Sequence, residues 1–232
     1  MSAPNIEVVK PGALWQQVVE AMRRAIVVGE LTPGAHLKEP LLAEMFGVSR
    51  LPIREAIAQL EREGLVRIEP RRGAYVVGVT EQDIHDIYEC RLVLEVYAIE
   101  RTAERIDTDG VASLNALIAE MDVAIAAGQV QTVATCDMAF HRLIIALSGN
   151  RALLNAWAPL APLIETVMSI AEATVADLPE AVHGHDHIVA ALARHDGAAA
   201  VAVLLDHLPS GERLVHEAIR NAREGFDNAL RA

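Results

Sequence analysis

The sequence predicts a mostly α-helical protein in two parts: three helices and a β-hairpin over residues 1–78, then an all-α antiparallel helical bundle over residues 79–232. Apolar residues recur at helical spacing through most of the chain, and β-prone runs cluster in residues 65–77. The charged residues are also distributed unequally between these two parts. Residues 1–78 hold ten Lys and Arg against nine Asp and Glu, whereas residues 79–232 hold ten against twenty-three. This difference indicates two domains with different chemistry.

Composition excludes several classes of protein. The chain has 232 residues, 22% charged and 52% hydrophobic, as is usual for a folded globular protein. The sequence has no run of eighteen apolar residues and no basic-then-apolar leader, so we expect a soluble, cytoplasmic protein without a membrane partner. Cys90 and Cys136 lack C-x-x-C spacing and are expected to be buried thiols. Eight aromatic residues are too few for platforms that stack single-stranded nucleic acid.

The first part begins with two helices. Apolar residues at helical spacing predict a helix over residues 14–28, which Gly29 ends in a left-handed cap. A shorter helix starts at about Pro40, because proline suits a first turn, and stops at Gly47.

A third helix and a hairpin complete this part. Ser49 is a suitable N-cap for the third helix, which ends at Gly64. Residues 65–68 and 74–77 are β-prone runs, and the turn between them, residues 70–73, carries two arginines at its tip. Three helices with such a hairpin form a winged helix-turn-helix.

The start of the third helix is a candidate DNA-reading element. Arg50 and Arg54 lie four residues apart on one face, directly after Ser49, and this end of the second helix-turn-helix helix reaches base edges in the major groove. Arg71 and Arg72 at the wing tip could enter the flanking groove. Alternatively, these arginines are solvated charges paired with nearby glutamates, because a net charge of +1 gives a weak field.

The second part is predicted to be helical throughout. Thr80 followed by Asp83 is typical of a helix-start cap. We expect kinks at Pro159 and Pro162 in the fourth helix of this part, and at Pro209 in the last helix. The predicted helices cover residues 81–106, 110–127, 130–147, 150–175, 179–195 and 197–224.

Helical phase places one carboxylate and three imidazoles on inward faces of three helices: Asp137, His141, His185 and His207. In the segment HGHDHIV, His185 is in phase with the apolar residues, whereas His183 and His187 share a more outward face. The inward set could hold a divalent transition metal (Zn, Ni, Mn or Fe), with positions left for water or an anion. Each histidine taken alone could instead be a core residue bonded to a backbone carbonyl.

A buried arginine is the candidate effector contact. Arg91 lies on the inner stripe of the first helix of the second part, where a guanidinium needs an anion. That anion could be a carboxylate effector, Glu95 or an acidic residue of a neighbouring helix. Arg142 lies about 100° around its helix from His141 and is a weaker candidate. Three aromatic residues of the second part are predicted to be core or interface residues rather than ligand contacts: Tyr88, Tyr97 and Trp157.

The segment LTPGAHLKEPLLAEMFGVSRLPIREAIAQLEREGLVRIEPRRGAYV resembles the winged helix-turn-helix of the GntR family of bacterial transcription regulators. The second part looks like the acidic helical effector domain of the FadR branch, called FCD, so the resemblance covers about residues 14–214. It implies a homodimer on a roughly palindromic double-stranded DNA operator. It also implies a repressor that is usually relieved by a small carboxylate metabolite.

Several residues carry this resemblance. Arg50, Arg54, Arg72 and Gly73 match the family's DNA-contacting positions, whereas Pro40 stands where the family commonly has another arginine. A metal-binding subset of the FadR branch carries Asp and His four residues apart, then one His on each of the last two helices. The four inward residues match that order and spacing.

The leading hypothesis is a transcription regulator in which a carboxylate binds the metal and Arg91. In this branch an arginine at the corresponding position faces the ligand cavity. One alternative is a metal sensor that needs no organic effector. A metal-dependent enzyme is a further alternative, since such a site can activate water, but the sequence offers no dedicated acid or base.

Overall fold

The computed structural model describes residues 11–172 and 178–231, and the chain divides into two compact units between Val79 and Thr80. In that described part the chain forms ten helices and one three-stranded sheet, which lies in the N-terminal unit. This confirms the predicted mostly α architecture. No helix in the described ranges is long and apolar enough to cross a membrane.

The N-terminal unit is a three-helix core with a small antiparallel sheet. Its helices are α1 (Pro11–Val28), α2 (Glu39–Phe46) and α3 (Arg50–Arg62), and its strands are β1 (His36–Leu37), β2 (Val66–Glu69) and β3 (Gly73–Val76). Strand β3 lies between the other two and pairs Val76 with Val66 and Gly73 with Glu69. Helices α1 and α3 pack through side chains without solvent exposure, among them Met22, Ile53 and Leu60.

A tight turn joins α2 to α3. Gly47 adopts a left-handed conformation with φ +64°, which favours glycine, and its backbone N–H donates to carbonyls of the last turn of α2. Ser49 is the N-cap of α3, as predicted, but its side chain makes no capping hydrogen bond.

The helical unit contains α4 (Glu81–Ala103), α5 (Thr108–Ala126), α6 (Val130–Leu147), α7 (Arg151–Trp157), α8 (Ala161–Glu172), α9 (Leu178–Ala193) and α10 (Gly197–Arg231). The cap at Thr80 is a full capping box: Thr80 Oγ1 accepts from the Asp83 backbone, and Asp83 accepts from the Thr80 backbone. Helix α4 packs against both α6 and α10, and α9 packs against α10 and α5. This packing brings the inner faces of α4, α6, α9 and α10 together.

Several predictions for this unit were wrong in detail. The predicted kinked helix over 150–175 is two helices, α7 and α8, because residues 158–160 form a turn around Pro159 that interrupts the α-helix. Its predicted end at residue 175 lies outside the described residues. The last predicted helix, 197–224, is longer than expected, because α10 ends at Arg231 and includes Pro209, where the predicted kink stays a prediction. Cys136 is buried as expected, but Cys90 is exposed.

Candidate metal centre and nucleic-acid interface

The four inward residues meet inside the helical unit. Helix α6 provides Asp137 and His141, α9 provides His185, and α10 provides His207. One ligand atom from each lies within 4.8 Å of the others. The first three are buried and His207 is partly buried.

Three distances between ligand atoms are those expected around a single ion, and a fourth, 3.7 Å from His141 Nε2 to Asp137 Oδ1, is slightly longer. His185 Nε2 lies 3.1 Å from Asp137 Oδ1 and 3.4 Å from His141 Nε2. His207 Nε2 is also 3.4 Å from His141 Nε2. Nitrogen and oxygen ligands about 2.0–2.2 Å from one ion are about 2.8–3.6 Å apart in tetrahedral or octahedral geometry. Asp137 Oδ2 is buried without a hydrogen-bond partner in the described part, so it is free to face a cation.

Glu95 on α4 fixes the tautomer of His141. His141 Nδ1 donates to Glu95 Oε2 at 2.5 Å, and both side chains are buried. An ionised carboxylate can only accept hydrogen bonds, so the proton of His141 lies on Nδ1 and the lone pair of Nε2 faces the cluster. Metal-bound histidines commonly have such a carboxylate on the other ring nitrogen. From the sequence, Glu95 was expected only as a partner of Arg91, and its contact with His141, which joins two helices, was not predicted.

Arg91 is both paired and partly free. Its Nε donates to Glu95 Oε1 at 2.8 Å, and Trp157 Nε1 donates to the same oxygen at 3.2 Å. The residue is 1% exposed, and its Nη2 is buried with no hydrogen-bond partner among the described residues. Glu95 is therefore the anion that meets Arg91, and one amino group remains for another acceptor.

Charge and burial set the protonation states of the site. Burial acts to raise the pKa of Glu95, but the charge of Arg91, with the hydrogen bonds from His141 and Arg91, outweighs it and lowers the pKa to about 2. Burial also acts to raise the pKa of Asp137, but the neighbouring imidazoles of His141 and His185 outweigh burial and lower this pKa below the ordinary range. Burial, with two neighbouring imidazoles, lowers the pKa of His207 well below its ordinary value. Ionised carboxylates and a neutral imidazole are the forms that bind metals.

A cavity of about 320 Å³ lies beside His207, between α9 and α10. Gly184 permits this close packing, since a Cβ there would lie 2.7 Å from His207 Nδ1. His187 lines the cavity and is exposed, as its helical phase predicts.

Two other residues were considered in the sequence. The side chain of His183 lies outside the described part, and Arg142 is exposed.

The predicted DNA-reading side chains of α3 lie at the surface. Ser49, Arg50 and Arg54 are all exposed. Arg54 Nε donates to Glu39 Oε2 of α2 at 2.6 Å. Arg50 has no hydrogen bond or ion pair from its side chain within residues 11–172 and 178–231.

The wing tip presents the other predicted residues. Arg71 and Gly73 have positive φ angles of 64° and 107°, so the turn is tight. Glycine is favoured at position 73 because other residues rarely adopt this φ angle, and a Cβ at Gly73 would also lie 2.4 Å from His36 Nε2. Arg72 is exposed and its Nη1 pairs with Glu69 Oε2 at 2.9 Å.

An N-terminal winged helix-turn-helix joined to an all-helical unit is the architecture of a DNA-binding transcription regulator. Residues 14–76 match the family described as bacterial regulatory proteins, gntR family, and residues 86–210 match the FCD domain. The chain therefore belongs to the GntR family of transcriptional regulators, in the group that carries an FCD domain. Members of this family are regulators and not enzymes.

Several curated relatives are named as regulators. The gluconate operon transcriptional repressor of Bacillus licheniformis is 35% identical over 62% of this chain and 59% of that protein. The uncharacterized HTH-type transcriptional regulator YdhC of Bacillus subtilis is 34% identical over 63% of this chain and 66% of that protein. Both matches span less than two thirds of the relative's length. The repressor RspR of Escherichia coli is 26% identical over 90% of each chain.

Solved structures share the fold. A GntR family regulator from Pseudomonas syringae is 28% identical, with a TM-score of 0.56 over 94% of this chain and 91% of that chain. Escherichia coli McbR/YncC has a TM-score of 0.70 over 88% of this chain and 97% of that chain. At 22% identity, the second match supports the fold alone.

Proposed function

We propose that this chain is a homodimeric, cytoplasmic repressor that binds a roughly palindromic operator and releases it when a small carboxylate binds at a metal ion in the helical unit. The observation that carries the proposal is the convergence of one buried carboxylate and three imidazoles beside a buried arginine with an unpaired amino group. The winged unit provides the DNA contacts through Ser49, Arg50, Arg54, Arg71, Arg72 and Gly73.

The metal is held by the inward cluster: Asp137, His141, His185 and His207. Nitrogen and oxygen donors in this combination suit Zn, Ni, Mn or Fe. A bound ion offers a carboxylate positive charge and open coordination positions. Glu95 acts as a positioning residue, because its hydrogen bond to His141 Nδ1 keeps the lone pair of Nε2 directed at the ion.

Arg91 binds the carboxylate of the effector. Glu95 holds its Nε, which fixes the plane of the guanidinium, while the buried Nη2 lacks an acceptor among the described residues. A buried charged donor without a hydrogen-bond partner is costly in free energy. A carboxylate would accept a charge-assisted hydrogen bond from Arg91 Nη2. A small acid that bonds to both Arg91 and the metal would satisfy this donor.

Release of DNA requires a difference in affinity. The effector shifts the equilibrium only if it binds the DNA-incompetent form more tightly than the DNA-bound form. Coupling of about 1–3 kcal/mol, or roughly 5- to 150-fold in affinity, is typical of such regulators. The relatives named as repressors support this direction, and gluconate, after which one relative's operon is named, is itself a small carboxylate.

Thermal unfolding with a panel of small carboxylates tests the effector site. A true effector at 100 times its Kd stabilises the protein by about 2.7 kcal/mol, and a chelator should abolish this effect. Arg91→Lys keeps a positive charge for Glu95 but lacks the planar fork, so it should lose the carboxylate response and retain the metal. A response that survives both the chelator and Arg91→Lys would contradict the proposed site. If metal alone changes DNA affinity and no carboxylate does, the protein is a metal sensor.

Binding to operator DNA tests the winged unit. Arg50→Ala combined with Arg54→Ala should abolish sequence-specific binding while helical content and dimerisation persist. Arg62→Ala, an exposed arginine at the opposite end of α3, is the matched control and should retain specific binding. Wild-type affinity in the double variant would remove both residues from the DNA-reading role.

A further inference from the structure

The ion pair between Glu39 and Arg54 joins the two helices of the helix-turn-helix. Arg54 Nε donates to Glu39 Oε2 at 2.6 Å, and the two side chains are 63% and 34% exposed. Exposed ion pairs add little to stability, since water screens the charges and both side chains lose conformational entropy. The consequence of this contact therefore lies in where it places the guanidinium.

The contact occupies one edge of the guanidinium and leaves another open. Only Nε of Arg54 bonds to Glu39, and its two terminal nitrogens have no hydrogen-bond partner among the residues described. Those terminal N–H groups form the fork that binds guanine O6 and N7 together in the major groove. Fixing Nε therefore orients this fork without consuming it.

Glu39 lies on a rigid support. It is the first residue of α2, and Pro40 follows it in the first helical turn with a fixed backbone angle. A carboxylate in the first turn of a helix is also favoured by the helix dipole. The negative charge that holds Arg54 is therefore fixed at the start of α2. It lies next to Pro40, the position where the family commonly has an arginine.

We propose that Glu39 is a positioning residue for base recognition, which orients the terminal amino groups of Arg54 toward one guanine of each operator half-site. This inference rests on the proposed function, in that α3 must enter the major groove. Arg50 has no comparable carboxylate partner in the described part, so the effect is confined to the base that Arg54 reads.

The test uses the full chain and duplex DNA selected by the wild-type protein from a random pool. Affinities are measured for the selected duplex and for its single-base-pair variants, with wild type, Arg54→Ala, Glu39→Gln and Glu44→Gln. Glu44 is exposed on the same helix, and its substitution removes the same charge. Loss of a negative charge by itself strengthens binding to DNA, so Glu44→Gln gives the baseline.

A positioned bidentate arginine discriminates against the wrong base by about 5- to 150-fold. We expect Arg54→Ala to lose this discrimination at one base pair of each half-site. At that same base pair, Glu39→Gln should lose at least about fivefold in discrimination relative to Glu44→Gln. Discrimination by Glu44→Gln should stay at the wild-type level.

If Glu39→Gln binds the selected duplex as tightly as Glu44→Gln and keeps full discrimination, Glu39 only neutralises Arg54 and the inference is overturned. A loss spread evenly over all base pairs would also overturn it, because that result indicates a structural defect. Failure of the wild type to enrich any sequence would instead overturn the proposed function, and this inference with it.

Discussion

Replacing Glu95 with glutamine should uncouple His141 from the metal centre. The carboxylate accepts from three N–H groups, those of Arg91 Nε, Trp157 Nε1 and His141 Nδ1. Glutamine has one acceptor and one donor group. When its oxygen accepts from Arg91 and Trp157, its amide donates toward His141 Nδ1, which must then be unprotonated. The proton of His141 moves to Nε2, the atom that faces the other ligands.

Two magnitudes follow from the geometry. Loss of a carboxylate behind a metal-bound histidine costs about 10- to 100-fold in metal affinity, or roughly 1.4–2.7 kcal/mol. Arg91 and Glu95 are each 1% exposed, so removing one charge also leaves a buried ion unpaired, at a cost of about 3–5 kcal/mol in unfolding free energy. Glu39→Gln is the control, because its pair with Arg54 is exposed and contributes about 0–1 kcal/mol.

Metal titration against a competing chelator and chemical denaturation of the metal-free proteins measure the two effects separately. The double variant Arg91→Met with Glu95→Gln should regain much of the lost stability, since no buried charge is left unpaired. It should still bind metal as weakly as Glu95→Gln alone. Wild-type metal affinity in Glu95→Gln would refute the assignment of the His141 tautomer.

Three further predictions concern single positions. Gly184→Ala should weaken metal binding, because its Cβ would force the ring of His207 to move; metal titration checks this. Glu212 raises the pKa of His85, so Glu212→Gln should lower it in an NMR titration. With this sign, the contact stabilises the helical unit at low pH, and the contribution disappears as the pH rises through that pKa. Gly47→Ala should cost about 1–2 kcal/mol in a denaturant titration, because backbone strain alone opposes it.

Helical periodicity was enough to predict most of the fold and the four inward residues. Asp137 and His141 share one stripe because residues four apart lie on the same helical face, and the same phase separates His185 from His187. The order of helices and the winged hairpin were also predicted, because glycine and proline mark their ends at positions such as Gly47 and Gly64.

Contacts between distant elements could not be predicted from local patterns. Strand β1 is two residues long and exists only because it pairs with β3, so it has no periodic signal of its own. Glu95 occupies an i,i+4 position relative to Arg91, which is equally typical of an ordinary helical salt bridge. Its role depends on His141, 46 residues away in sequence, and on Trp157 in a third helix.

Elemental analysis of the purified protein tests the metal centre most directly. The wild type, His185→Ala and His187→Ala should be compared after the same purification and dialysis. His185 is buried in the cluster, whereas His187 lies two residues along the same helix and is exposed. We predict near-stoichiometric metal in the wild type and in His187→Ala, and loss of metal in His185→Ala. Absence of metal from the wild type after loading with Zn, Ni, Mn or Fe, or its retention in His185→Ala, would contradict the account.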